Sequence, residues 1–284
     1  MHHLTARLRP RAARIEGASA AWLWDGLRRA FPDAIAACVM PDHPHVLAPV
    51  EDPERDERLL RLLQHHTRRF GGPGWVLADV ERPIRDPGKI ARNVRYIALN
   101  PCRARLVDDP LRWLFSTFRD IVGASADPWV TPSRLADALG RPRVGFARRH
   151  HAYVTGDPTV APAARRMPVL GEVRDGTLPA VLEAARAASR RIGPLDPATA
   201  ALFLAASRRL RYPVRMPVAH LGLKERTAYD WSRRPTEAAV DAVLLTLAAP
   251  RLRAPADAPR SFAAQPSWAG PTASISRNLA ARPA

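Results

Sequence analysis

His43 and His45 stand one residue apart in Met40-Pro41-Asp42-His43-Pro44-His45-Val46-Leu47, directly after the apolar run Ala34 to Met40. Alternate side chains of an extended strand share a face, so this spacing brings two imidazoles close enough to share a divalent metal. Tyr96 follows His43 by 53 positions, in Tyr96-Ile97-Ala98-Leu99-Asn100-Pro101. A helical spacing of four puts Tyr96 and Asn100 on one face, so a helix beside the His-bearing strand would offer a phenol and a side-chain oxygen to the same ion. The residues alone leave other readings open: a Tyr ring in the core, Asn100 as a helix C-cap before Pro101, two satisfied histidines, or a metallohydrolase using the His-x-His. A hydrolase barrel needs more chain and further His or Asp ligands at strand ends.

A second cluster lies in PVAHLGLKERTAYDWSRR, which begins at Pro217. Ala219, Leu221-Gly222-Leu223, Thr227, Tyr229 and Trp231 follow the order of a helix-turn-helix, with a small residue where helices touch and Gly in the turn. Lys224, Arg226, Thr227, Arg233 and Arg234 on or beside its second helix are the candidate DNA contacts; an ordinary helical hairpin is the alternative. The adjacent pairs His2-His3, His65-His66 and His150-His151 have diverging side chains and read as polar surface. Trp22, Trp24 and Trp113 read as core or helix-packing residues.

The elements that must position these residues follow from periodicity. Leu4 to Leu8 alternates as a strand, and Ala18 to Ala30 has helical apolar spacing. Ala34 to Met40 and His43 to Val50 read as paired strands joined by a hairpin at Pro41-Asp42. Asp52 to Phe70 is a helix ended by Gly71-Gly72-Pro73-Gly74, Trp75 to Ile84 is a further strand, and Pro87 to Leu99 is a helix closed by Asn100-Pro101. This is an α+β pattern, a ferredoxin-like (split βαβ) antiparallel sheet covered on one face by helices. Residues 1–125 form that unit. Residues 126–168 add short helices at Arg134 to Leu139 and Val144 to Tyr153 and a Pro/Ala-rich linker from Thr155 to Pro168. Residues 169–249 form an all-helical region containing the helix-turn-helix, and 250–284, rich in Ala, Pro, Ser and Arg, are expected to be a disordered tail.

The 284 residues carry a net charge of +17, which makes a polyanion the expected partner. The charge is uneven, net +5 over residues 1–125 and net +12 over 126–284. All but two of the basic residues are arginines, a skew that genome composition can also produce. No apolar run approaches a membrane span; Ala238 to Ala249 is short and interrupted by Asp241. Two cysteines are too few for a secreted disulfide framework, and the start lacks a signal peptide's apolar stretch, so a cytoplasmic location is expected.

Four stretches in order, MPDHPHVL, YIALNPCRARLV, DDP and WLFSTFRD (Trp113 to Asp120), resemble the HUH single-tyrosine transposases, most closely their REP-associated tyrosine transposase branch. The resemblance covers residues 1 to about 125, and RRHHAYVTGDP extends it weakly to about 160. It implies nicking and rejoining of single-stranded or hairpin-forming DNA. Tyr96 would attack the scissile phosphate to give a 5′-phosphotyrosine link and a free 3′-hydroxyl, and His43, His45 and Asn100 would hold Mg²⁺ or Mn²⁺. The C-terminal region resembles the helix-turn-helix units appended to some members and would bind duplex DNA. Three departures stand out. Pro44 replaces an aliphatic residue, VLADVERPIRD replaces an aromatic-rich strand, and Gln64 occupies a commonly basic position. The alternative from another class is a non-catalytic, domesticated DNA-binding regulator that keeps the fold. The sequence leaves monomer or dimer open.

Overall fold

Alternation at the N-terminus produces β1 (His2–Leu8), whose even-numbered residues are all buried. The computed structural model describes residues 1–8, 14–49, 54–71, 74–77, 83–171, 173 and 175–253. After β1 come α1 (Gly17–Ala30), β2 (Ala36–Val39), β3 (Pro44–Ala48), α2 (Arg55–Phe70), β4 (Trp75–Leu77) and α3 (Pro87–Arg103). The four strands make an antiparallel sheet in the order β2-β3-β1-β4. The class is α+β.

Register decides which side chains share a face. Thr5 pairs with His45 and Cys38 with His45, so His3, Thr5, His45, Leu47 and Cys38 lie on one side. Leu8 pairs with Trp75, placing the even residues of β1 with Trp75 on the other. His66 of α2 contacts the Trp75 ring at 5.7 Å, so α2, with α1 packed against it, covers that second side. Gly26 is where α1 and α2 meet most closely: a Cβ there would come within 2.5 Å of Leu62 Cδ1. Tyr96 of α3 contacts His45 on the first side. Helices therefore lie on both faces, not one. Every residue of β2 and β3 is buried, and strands apolar on both faces need cover on both.

Pro44 turns out to be compatible with its interior strand. It is the first residue of β3, opposite Val39, and the β1 ladder reaches only as far as His45, so no sheet hydrogen bond requires its missing N–H. The outer edge of β2 is also covered. Val39 N donates to Phe115 O (3.0 Å), Thr117 N donates to Ala37 O (3.0 Å), and Trp113 Nε1 donates to Val39 O (2.9 Å).

Two further expectations change at α3 and β4. The helix does not close at Asn100-Pro101 but runs to Arg103, ending where Arg105 takes φ 56°. Ala98, Leu99 and Cys102 pack into a second apolar cluster with Leu111, Phe118, Val154 and Leu245, which holds the last turn helical despite Pro101. The strand expected over Trp75 to Ile84 is described only as Trp75–Leu77; residues 78–82 lie outside the described residues.

Beyond α3 follow α4 (Phe118–Ile121), α5 (Pro132–Ala138), α6 (Phe146–Thr155), α7 (Leu178–Ser189), α8 (Pro197–Arg209), α9 (Arg215–His220), α10 (Glu225–Ser232) and α11 (Glu237–Ala248). The last five surround their own core of Val181, Phe203, Val218, Ala228 and Val243. The stretch from Thr155 to Pro168 is packed, not loose: it contains a 3-10 turn, Pro162–Arg165, and buries Val160 and Ala164. The expected tail begins with another 3-10 turn, Pro250–Leu252, and Leu252 is fully buried. Residues 254–284 lie outside the described residues. Among the described residues no helix is long and apolar enough to cross a membrane.

Candidate active site

α3 is a well-specified platform. Pro87 sits at its start, Asp86 accepts Lys89 N at 2.7 Å, and Ile90, Val94 and Ile97 form its buried stripe. That stripe turns Tyr96 toward the sheet margin. The Tyr96 ring lies 5.9 Å from the His45 ring and 6.1 Å from the His3 ring, both edge-on, and His43 lies 4.6 Å from His45. Tyr96 stays 40% exposed, so its phenol is reachable by a polymer. Asn100, one turn further along α3, is buried, and its amide nitrogen has no hydrogen-bond partner.

Each of the two histidines is oriented through its Nδ1. His43 Nδ1 is 2.6 Å from Asp42 Oδ1, and His45 Nδ1 is 2.9 Å from His3 Nε2. With Nδ1 engaged, Nε2 is the nitrogen left to a metal, the arrangement in which an outer carboxylate or ring fixes the tautomer of a ligand. His45 Nε2 is buried with no partner. Burial, then electrostatic interaction with His43, His3 and Arg7, holds His45 well below the ordinary histidine range, so it is a neutral imidazole at neutral pH. Burial alone would raise Asp42, but the His43 hydrogen bond and charge outweigh it and leave the carboxyl below its usual range.

The donor types present, imidazole nitrogen and a carboxamide, are ones that a divalent ion accepts, and two of them are buried without partners. No three His, Cys, Asp or Glu side chains among the described residues form a ready cage. The available set is two imidazole nitrogens plus the Asn100 carboxamide. Its oxygen and nitrogen are interchangeable by a flip, so the unpartnered corner is equally an oxygen position. Such a sparse set leaves coordination positions to water and phosphate oxygens, as Mg²⁺ prefers. Cys38 and Cys102 are not alternatives: both are buried, and burial raises both thiols, Cys102 to about 12.

His3 and Asp42 were not legible as site residues. His3 belongs to a pair expected at the surface, and only the pairing of β1 with β3 places it diagonally beside His45. His65 is exposed as expected, but His66, His150 and His151 are not. His66 is buried among Trp22, Phe70 and Trp75. His150 stacks on Phe146 and His151 on Phe118, both deeply buried.

The second cluster occupies α9, a turn with Gly222 at φ 64°, and α10. Lys224, Arg226, Arg233 and Arg234 are exposed and Thr227 is half-buried, while Ala228 and Ser232 form the buried side of α10. The Arg233 guanidinium lies 4.2 Å above the Tyr229 ring.

No family model matches the chain, and no curated protein matches it. Among solved structures it aligns with a REP-associated tyrosine transposase bound to a REP hairpin. The two are 23% identical over 42% of this chain and 78% of that one, with a TM-score of 0.34.

Proposed function

We propose that the chain nicks and rejoins single-stranded, hairpin-forming DNA through a phosphotyrosine on Tyr96. The observation that carries this reading is the meeting of an exposed phenol with two histidines whose Nδ1 atoms are fixed and one of whose Nε2 atoms is buried and unpartnered. In this reading the βαββαβ part is a ferredoxin-like scaffold, and His43, His45 and Asn100 hold Mg²⁺ or Mn²⁺. The ion, when bound, polarises the scissile phosphate. His45 must keep its proton on Nδ1 and donate it to His3 Nε2, so that Nε2 presents a lone pair; His43 likewise donates from Nδ1 to Asp42. Tyr96 gives up its phenol proton as Oη forms a bond to phosphorus, the bond from phosphorus to O3′ breaks, and the leaving 3′-oxygen takes up a proton, so the proton count is unchanged. One phosphoester replaces another, so rejoining needs no external energy. The helix-turn-helix of α9 and α10 would retain the complex on duplex DNA.

Incubating the full chain with a hairpin-bearing single-stranded oligonucleotide and Mn²⁺ tests the reading. A covalent adduct on a denaturing gel, lost in Tyr96→Phe, is expected. An adduct that persists in Tyr96→Phe overturns the nucleophile. Cleavage that needs His43 and His45 but survives in Tyr96→Phe identifies a metallohydrolase, and DNA binding without adduct or metal uptake identifies a non-catalytic regulator.

A further inference from the structure

Arg92, Tyr96 and Arg103 fall on one narrow stripe of α3, at i−4, i and i+7, and Arg95 flanks it. An open groove of about 330 Å³ runs beside Tyr96, lined by Arg92, Asn93, Arg95, Tyr96, Arg103 and Tyr153 of α6. Three guanidinium groups line it and no carboxylate does. Behind them, Asp157 Oδ2 is shared between Arg95 (3.4 Å) and Arg103 (3.3 Å), while its Oδ1 accepts from Thr159 N and Oγ1 at 3.1 and 2.7 Å. Arg103 stacks 5.4 Å over the Tyr96 ring and Arg95 4.8 Å over Tyr153, so both forks are held in place before anything binds.

A tie between α3 and α6 would explain Arg95 and Arg103 pairing with Asp157. It does not explain Arg92, which makes no ion pair among the described residues, nor Arg95 Nε, which is buried with no acceptor. One carboxylate against three guanidinium groups leaves a local excess of positive charge and free donors in fork geometry, which suit phosphate oxygens.

We propose that this groove seats the backbone of single-stranded DNA next to the reacting phosphate, with Arg92 and Arg103 contacting phosphodiesters on either side of Tyr96. Asp157 is then a positioning residue that fixes Arg95 and Arg103. The site rests on the proposed chemistry of Tyr96 for its meaning, but not for its measurement.

Anisotropy of a labelled single-stranded oligonucleotide, taken with the full chain in EDTA across a salt series, needs neither metal nor cleavage. Arg92→Ala and Arg103→Gln should each weaken binding several-fold and lower the slope of log affinity against log salt by about 0.7, the value for one phosphate contact on a single strand. Arg141→Ala, an exposed arginine outside the groove, should change neither. Arg103→Gln could loosen α6, whereas Arg92→Ala has no ion pair to break, so Arg92→Ala decides. Wild-type affinity and slope in Arg92→Ala overturn the groove even if adducts form. Loss of affinity in Arg92→Ala with no adduct from any protein keeps the groove and removes the Tyr96 chemistry.

Discussion

Asp120 and Tyr96 each stand at the centre of a polar cluster rich in arginine, and the two clusters are finished differently. Asp120 is fully buried; Oδ1 accepts from Arg190 Nη2 at 2.6 Å and Oδ2 from the backbone N–H groups of Trp129 and Val130. Arg190 also donates to Leu114 O, Ser116 O and Ser125 Oγ and stacks 4.6 Å over Trp24. Around Tyr96 the polar atoms are left over: His45 Nε2, the Asn100 amide nitrogen and Arg95 Nε have no partner, and the phenol is exposed. A buried polar atom without a partner costs free energy, so the closed bonds of Asp120 and Arg190 stabilise the fold, although the neighbouring Arg119 Nε has no acceptor. Around Tyr96 three such atoms, at His45, Asn100 and Arg95, stand near one exposed phenol, which is what the proposed site would use.

The contrast is sharpest in stability. Asp120→Ala should cost about 3–5 kcal/mol, because the Arg190 charge stays buried with its carboxylate gone. Tyr96→Phe should change stability by less than about 0.5 kcal/mol, since it removes one exposed hydroxyl. Urea unfolding of both variants reads this directly. Equal losses would mean that Tyr96 is a packing residue.

The smaller acid response comes from histidines outside both clusters. Burial lowers His150 and His151 to about 4, with His151 adding to the shift at His150 and Arg251 to that at His151. In the unfolded chain each titrates near 6.5, so the unfolded state binds the extra protons below that pH. Stability is therefore complete above about 6.5 and drains as pH falls toward 4, at up to ~1.4 kcal/mol per pH unit for each histidine. His150→Leu and His151→Leu should each flatten the acid limb of a melting profile. An acid limb as steep as wild type in both would exclude these groups as its source.

What the sequence shows and hides follows distance along the chain. His43, His45, Tyr96 and Asn100 are related by spacings of two and four, which strand and helix geometry convert directly into shared faces. The strand β2 and helices α8 and α11 are legible for the same reason, since local periodicity writes them. His3 is not, because it reaches His45 only through the register of β1 on β3, 42 residues apart. The Asp120–Arg190 pair spans 70 residues: Asp120 closes the WLFSTFRD stretch, but nothing around Arg190 marks it as the partner. Cover on both faces of the sheet was readable in principle: Ala34 to Met40 is continuously apolar, the mark of a strand buried on both sides. The end of α3 was misplaced because packing of Leu99 and Cys102 outweighs the local signal of Pro101.

The orienting residues give the next effect in size. Asp42→Asn and His3→Phe leave the His43 and His45 nitrogens proposed as ligands in place but remove the groups that fix their tautomers. Outer-shell losses of this kind cost roughly 10- to 100-fold in metal affinity. Calorimetric Mn²⁺ titration should show that decrease without a change in unfolding midpoint, while His43→Ala with His45→Ala removes binding altogether. Unchanged Mn²⁺ affinity in Asp42→Asn and His3→Phe would make the two contacts mere packing.

The smallest expected effect sets α10 against the groove on α3. Truncating the chain near Asp157 cannot isolate α10, because it would also remove Arg190 from Asp120 and Leu252, whose carbonyl accepts from the buried Arg119 at 2.9 Å. Point substitutions in the full chain avoid this. Lys224 and Arg226 are exposed at the start of α10, away from its buried residues Ala228 and Ser232, so Lys224→Ala and Arg226→Ala should leave the fold intact. If α10 lies in a duplex groove, each lost phosphate contact lowers the slope of log affinity against log salt by about 0.9 on duplex DNA. Affinity for an unstructured single strand should stay at the wild-type value. Arg92→Ala should behave in the opposite sense, weakening the single strand and sparing the duplex. If both sets shift both ligands equally, net charge explains the binding and neither region reads a particular form of DNA. If Lys224→Ala and Arg226→Ala shift neither, the five C-terminal helices are there to pack, with Leu245 in the cluster that holds Leu99 and Cys102 of α3 and Arg190 at their margin closing the bonds of Asp120.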